Sequence, residues 1–324
     1  MLKQLTTRCI DINSRYCPCL LAETNHCEFC SHLKGGTVCD CNWSGVCILY
    51  EKYWQNKSGG KAFKEDISIR METVTEFAIK EQFSENTYLL EFTVEDDLAR
   101  QLERTGSFVF LRRATDPKFY HFPVGIMRVV DNRVEVVIET IGPKSVRLIQ
   151  GDNHQILVTG PYYNGVLGQP WIDNIREGKI LLVAGGIGQA PALPLIDKLV
   201  RNQNEVLAVL APGHARKIFI GEQLNEWGVQ VHSVPSMRQS GIPMLRELFN
   251  LSPDLIVSAG PDDQHYAIIS AMHEAGVNIP MAATNNVTMC CGEGVCGSCH
   301  KETQDNKKVR LCKVQTDFSQ LLQD

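Results

Sequence analysis

The placement of the cysteines constrains this chain more than any other feature. Eight of the thirteen fall between Cys9 and Cys47, five fall between Cys290 and Cys312, and the 242 residues from Ile48 to Met289 contain none. The thiol-free middle has to fold on hydrophobic burial, whereas each end carries more sulfur than a short segment uses without a metal or a redox partner. The opening residues, Met1 to Cys17, have no apolar core of a secretion signal. A reduced, cytoplasmic setting follows, in which cysteines ligate metal rather than cross-link.

At 324 residues the chain is too long for one small core and suits two modest domains with small appendages. Its 44% hydrophobic and 21% charged residues are those of an ordinary globular protein. A net charge of -5 leaves no basic surplus for a phosphate backbone, so nucleic acid is not an expected partner. Membrane insertion is not expected either, because the most apolar stretch, Ile180 to Leu195, is broken by glycines and prolines.

Between the cysteine clusters the hydrophobic rhythm changes once. From Asp66 to about Gly160 it is short and alternating, as in Ser68–Val74, Ser107–Leu111 and Val134–Ile138, with a helix over Glu95–Arg104 ending at Gly106. This is the pattern of a small antiparallel barrel. From Lys179 continuous apolar runs, Ile180–Val183, Glu205–Leu210 and Asp254–Ala259, alternate with helical segments. Such strands are buried on both faces in a doubly wound parallel α/β sheet. The expected architecture is therefore α+β and multi-domain. It has a Cys-rich module over 1–60, a β-barrel over 61–165, an α/β domain over 166–285 and a cysteine-bearing tail over 286–324, with Gly165–Gly178 as the linker.

In the tail, Cys291, Cys296, Cys299 and Cys312 give C-x4-C-x2-C-x12-C. This is the ligand spacing of plant-type [2Fe-2S] sites. Gly292, Gly294 and Gly297 supply the positive φ angles and close backbone approach that a cluster loop requires. The alternative is a four-cysteine zinc site, which usually shows two C-x2-C pairs. Cys290 is left over and reads as a spare buried thiol.

Behind the strand Ile180–Val183 comes Ala184-Gly185-Gly186-Ile187-Gly188-Gln189-Ala190-Pro191, opening a helix through Leu195, Ile196 and Leu199. A glycine-rich turn at a helix N-terminus offers N–H donors and a positive dipole end to a pyrophosphate. A second strand ends in Gly260-Pro261, on the same carboxyl edge of the expected sheet. Farther on, Arg216 and Lys217 would clamp a 2′-phosphate or simply start a solvated helix.

The stretches Cys291–Cys312, Ala184–Pro191, Gly260-Pro261 and Gly160-Pro161-Tyr162-Tyr163-Asn164-Gly165 together resemble the electron-transfer subunit of dihydroorotate dehydrogenase and its sulfide dehydrogenase-like relatives in the ferredoxin-reductase superfamily. The resemblance runs from about Asp66 to the C-terminus. It implies an FAD-binding barrel, then an NAD(P)H-binding domain, then a [2Fe-2S] tail, with NADH preferred. The first flavin motif of such proteins falls on Phe122, Pro123, Val124, Gly125 and Ile126, but lacks its arginine and hydroxyl. Gly125 still offers a backbone N–H, whereas Phe122 cannot neutralise a phosphate. The second motif falls on Gly142-Pro143-Lys144-Ser145 before a short helix, Val146–Gln150. Gly160 and Asn164 complete the cofactor-binding residues that the resemblance implies.

Cys17, Cys19, Cys27, Cys30, Cys39, Cys41 and Cys47 form the remaining constellation, to which the resemblance does not extend. A second iron-sulfur cluster, a zinc site and free redox thiols all fit it, and spacing does not select the ligands. The reading that unites these features is an electron-transfer flavoprotein subunit, an NAD(P)H-dependent oxidoreductase component. It would move electrons between NAD(P)H, FAD and a [2Fe-2S] cluster, to or from a separate catalytic subunit or electron carrier. No acid-base pair near the loops points to direct oxidation of an organic substrate. The alternative is a nucleotide- and metal-binding redox sensor without turnover, which the altered first flavin motif favours.

Overall fold

A computed structural model describes residues 2, 5, 8–11, 14–16, 70–151, 154–294, 296–304 and 308–323. The seven cysteines from Cys17 to Cys47 lie outside them. The chain divides into two compact units, a larger one built on Glu72–Asn286 with Asp317–Ser319 and a smaller one built on Leu5–Met71, Val287–Thr316 and Gln320–Asp324.

The strand β1 (Arg8–Cys9) belongs to the smaller unit. The larger begins with β2 (Glu72–Ser84), β3 (Thr87–Thr93), the helix Asp96–Leu102, β4 (Phe108–Arg113), β5 (Phe122–Gly125), β6 (Arg128–Val130), β7 (Arg133–Glu139), the helix Pro143–Ile149 and β8 (Gln155–Tyr162). These strands form one antiparallel sheet in the order β5-β4-β8-β2-β3-β7-β6. Just past β5, Ile126 N donates to Ser107 O (3.1 Å) and Met127 N donates to Glu135 O (2.9 Å). Alternation then explains the core: Leu90 and Phe92 on β3, Val134, Val136 and Ile138 on β7, and Ile156 and Val158 on β8 all point inward. Each such side chain contributes roughly 1.5–3 kcal/mol by leaving water.

The second half of this unit follows β9 (Val166–Leu167) with β10 (Lys179–Gly185), β11 (Glu205–Ala211), β12 (Gln230–Ser233), β13 (Leu255–Ala259) and β14 (Met281–Thr284). The order is β12-β11-β10-β13-β14-β9, parallel throughout except for the antiparallel pair β14 and β9. Every residue of β13 and β14 is buried, as strands covered on both faces require. The stretch read as a linker is packed structure. It contains β9, whose Leu167 pairs with Ala283, and the helix Gln169–Asn174, whose Trp171 and Ile172 are buried. Its glycines and proline mark turns around these short elements rather than a free tether.

In the smaller unit β15 (His300–Glu302) pairs with β16 (Lys308–Arg310), and β17 (Val314–Gln315) pairs antiparallel with β1. Residues from near the two ends of the chain thus share one sheet. Among the described residues no helix is long and apolar enough to cross a membrane.

Candidate functional site

The sheet order places β10 between β11 and β13, so the connections from β10 leave in opposite directions. The carboxyl ends of β10 and β13 therefore border the crevice in which open α/β sheets bind ligands. Gly185–Gly188 follow β10, and Gly260-Pro261 follow β13, with Ala184 and Ala259 paired in register. The two expected nucleotide loops are thus brought together. Gly188 is the position at which they press closest: a Cβ added there would lie 2.4 Å from Ala259 O. Gln189, fully buried at the start of the helix Gln189–Arg201, donates to Ala211 O (3.3 Å) and Lys217 O (3.1 Å) and accepts from Phe219 N (3.0 Å). It fastens the loop after β11 to the glycine turn.

Behind Gly260 lies a buried polar network. His265 Nε2 donates to Thr284 O (3.1 Å), which leaves Nδ1 to accept from Ser258 Oγ at 2.6 Å. Gln264 Nε2 donates to Val183 O (3.1 Å) and Ser258 Oγ (3.3 Å). Thr284 Oγ1 accepts from Gly260 N and donates to Gly260 O, while Asn286 Nδ2 donates to the same carbonyl. Burial pushes the His265 imidazole down to about 4, against the opposing pull of Asp262. It is therefore neutral and committed to holding this turn.

The first flavin motif and the nucleotide loop also meet. Gly125, at the end of β5, faces Pro191 so closely that an added Cβ would lie 3.3 Å from the proline Cβ. In the second motif, Ser145 Oγ donates to Gly142 O (3.2 Å) and Lys144 Nζ donates to His121 O (2.9 Å). The Cα of Gly142 faces open space. The helix there is Pro143–Ile149, starting three residues earlier than expected because Pro143 is pre-set for a first helical turn. Asn164 is buried, and its carbonyl accepts from Asn285 Nδ2 (2.7 Å), while Gly160 packs on Val109. Of the two basic residues after β11, Lys217 is paired with Glu81 and lies 4.9 Å over the Phe83 ring, and Arg216 is exposed.

In the smaller unit the thiols of Cys291, Cys299 and Cys312 are linked by hydrogen bonds. Those bonds, first the one with Cys291, together with burial push the Cys312 thiol up, and the bond from Cys312 lowers Cys299 to about 7. Cys296 stands on the rim, its Sγ 3.1 Å from Ser298 Oγ. Among the described residues no group of three or more His, Cys, Asp or Glu side chains is placed to hold a metal ion. The loop nevertheless has the glycine conformations and backbone donors that the sequence reading expects there. Gly292, Gly294 and Gly297 take φ values of 66°, 77° and 72°, and the backbone N–H groups of Glu293 (3.3 Å) and Cys296 (3.5 Å) donate to Cys291 Sγ. Cys290, expected to be buried, is exposed, and its backbone N–H donates to Ser298 Oγ at 3.2 Å.

Beside this loop four charged side chains form one network, in which Asp11, Arg70 and Lys313 are buried and Glu293 is half-buried. Lys313 Nζ bonds Asp11 Oδ2 (2.5 Å) and Glu293 Oε2 (2.7 Å), and Arg70 reaches both oxygens of Asp11 (3.0 Å) and both of Glu293 (2.9 Å). Asp11 and Lys313 are each 1% exposed, and Arg70 is 3% exposed. Burial works against the Asp11 carboxylate, yet Lys313 and Arg70 overcome it and hold its carboxyl below the usual range.

No family model matches the chain. Among curated proteins, it is 30% identical over 176 residues to a probable dihydroorotate dehydrogenase B (NAD(+)), electron transfer subunit of Methanopyrus kandleri; the match covers 52% of this chain and 64% of that protein. It is 27% identical over 213 residues to the corresponding subunit of Clostridium perfringens, covering 64% of this chain and 82% of that one. The chain is a relative of the dihydroorotate dehydrogenase B electron transfer subunits. It spans just under two thirds of the Methanopyrus subunit. Solved structures agree on the fold. A chain in the structure of an NADH-dependent reduced ferredoxin-NADP oxidoreductase superposes with a TM-score of 0.63 at 20% identity, covering 77% of this chain and 90% of its own. A cytochrome P450 reductase of Amycolatopsis gives 0.50 at 15% identity, covering 67% and 70%. The larger unit, an antiparallel sheet followed by a mixed sheet with helices, is that ferredoxin-reductase-like fold.

Several residues that shape these sites were not legible as such. Gln189 and His265 sit one to four positions from glycine motifs that sequence reading singles out, but their partners lie up to 30 residues away. Asp11 and Lys313 are separated by 302 positions and carry no motif.

Proposed function

We propose that this chain is the electron-transfer component of a two-part oxidoreductase, passing electrons between NAD(P)H, FAD and a [2Fe-2S] cluster and exchanging them with a separate catalytic subunit or carrier. The observation that supports this reading best is the meeting of Gly125 with Pro191, which puts the edge of the flavin motif against the start of the nucleotide helix. Gly185, Gly186 and Gly188 would hold a pyrophosphate at the N-terminus of the helix Gln189–Arg201, with Gly260 and Pro261 on the far wall of the crevice. On the barrel side Pro123–Ile126, Gly142, Lys144 and Ser145 would hold FAD, with room beside Gly142. Gly160 and Asn164 fix the turn that joins the two halves.

Bound there, the flavin supplies the conversion between a hydride and single electrons. Cys291, Cys296, Cys299 and Cys312 are the cluster ligands in this reading, and the N–H groups on Cys291 Sγ stabilise thiolate charge. NADH is the preferred nucleotide, because Glu81 already engages Lys217, one of the two side chains that would bind a 2′-phosphate. The buried, neutral His265 is spent on backbone and hydroxyl partners, in keeping with a chain that leaves substrate proton chemistry to its partner.

Anaerobically purified protein is expected to contain one flavin and at least two irons with matching sulfide per chain, and to reduce an artificial dye faster with NADH than with NADPH. Protein that binds NADH but contains no flavin and reduces no dye would refute the reading.

A further inference from the structure

The charged quartet Asp11, Arg70, Glu293 and Lys313, buried except for the half-buried Glu293, is joined to the cysteine loop through covalent neighbours. Glu293 lies between Gly292 and Gly294, and its backbone N–H donates to Cys291 Sγ at 3.3 Å. Lys313 directly follows Cys312. Both side chains are therefore fixed where the loop is fixed. Asp11 is delivered by backbone pairing, since β1 lies on β17 and Ile10 N donates to Lys313 O at 2.7 Å. Arg70 is held over the Tyr16 ring at 4.4 Å while it bridges the two carboxylates.

Stability alone does not account for such a group. Buried ion pairs are replaceable by packed hydrophobic side chains at little cost, but removing one member leaves an uncompensated charge in a poorly screened interior. An uncompensated charge beside a cluster biases it toward one oxidation state, because net charge and hydrogen bonding at the sulfurs are what the protein uses to set the potential.

We propose that the quartet is a charge balance built into the cluster site, in which Asp11 and Arg70, supplied from outside the cysteine tail, act as positioning residues that offset Lys313 and Glu293 and so set the potential of the cluster. The inference rests on the reading of Cys291, Cys296, Cys299 and Cys312 as [2Fe-2S] ligands. With two cations and two anions the balance is neutral. Asp11→Asn makes it net positive and favours the reduced cluster, whereas Lys313→Met makes it net negative and favours the oxidised one.

The test is an EPR-monitored redox titration of the full-length protein, following the signal that Cys312→Ser abolishes, with iron and sulfide counted in each sample. Asp11→Asn is expected to move the midpoint up, Lys313→Met to move it down, and the double variant to return it toward wild type. Midpoints that stay together, or that shift in the same direction, overturn the proposal. If a single variant loses its iron, recovery of iron in the charge-balanced double variant supports the proposal, and continued loss overturns it in favour of a purely steric role. Wild-type protein without a two-iron cluster sinks the underlying ligand reading instead, a result that the iron count separates from an intact cluster with an unmoved potential.

Discussion

At the scale of single residues, His265 ties the stability of the nucleotide sheet to pH. Its folded pKa of about 4 lies below the ordinary histidine value, so between the two the unfolded chain takes up a proton that the folded chain refuses. Stability is thus complete above about pH 6.5 and declines as pH falls toward 4, by roughly 1.4 kcal/mol per pH unit. Urea unfolding at pH 7.5 and pH 5 is expected to show wild type losing about 2 kcal/mol more than His265→Gln. Equal losses in the two proteins would remove His265 from this role. Gly188 and Gly142 make a second, paired prediction. An alanine at 188 would drive its Cβ to 2.4 Å from Ala259 O, whereas one at 142 meets nothing within 4 Å. Gly188→Ala should cost about 1–3 kcal/mol and weaken NADH binding at least about tenfold, while Gly142→Ala stays within about 0.5 kcal/mol of wild type. Thermal unfolding and a nucleotide titration check both.

At the scale of elements, what could be read from the sequence depended on whether a pattern is local. The strands Ile180–Val183, Glu205–Leu210 and Asp254–Ala259 announce themselves as unbroken apolar runs, since burial on both faces needs no partner to be visible. The strand β2 was read only at its start. It continues to Ser84 through a charged stretch, Ala78 to Gln82, whose side chains are exposed and whose pairing with β3 slips twice, so alternation fails there. β9 was missed because two residues between glycines give no periodicity to detect. In the cysteine loop the spacing and the glycines are local patterns, and the three glycines take the positive φ angles expected of them, while the ligand assignment is open to test. Cys312→Ser is expected to abolish the two-iron content while flavin is retained, and Cys290→Ser to leave iron, sulfide and flavin at wild-type levels, by metal analysis and absorbance. Iron loss in Cys290→Ser would reassign the ligands.

At the scale of the whole molecule, nucleotide choice and partner dependence are the properties to measure. Glu81 and Lys217 come from β2 and the loop after β11, 136 positions apart, and no motif joins them. Releasing Lys217 with Glu81→Gln should lower the KM for NADPH several-fold while leaving that for NADH nearly unchanged, because the pair is exposed and worth under about 1 kcal/mol to the fold. An unchanged NADPH value in steady-state dye reduction would show that Lys217 does not reach the 2′ position. A further consequence follows from the contact of Arg70 with the Tyr16 ring. Arg70 also binds Asp11, 59 positions earlier, and Glu293, 223 positions later, so one guanidinium pins three distant stretches of the sequence together.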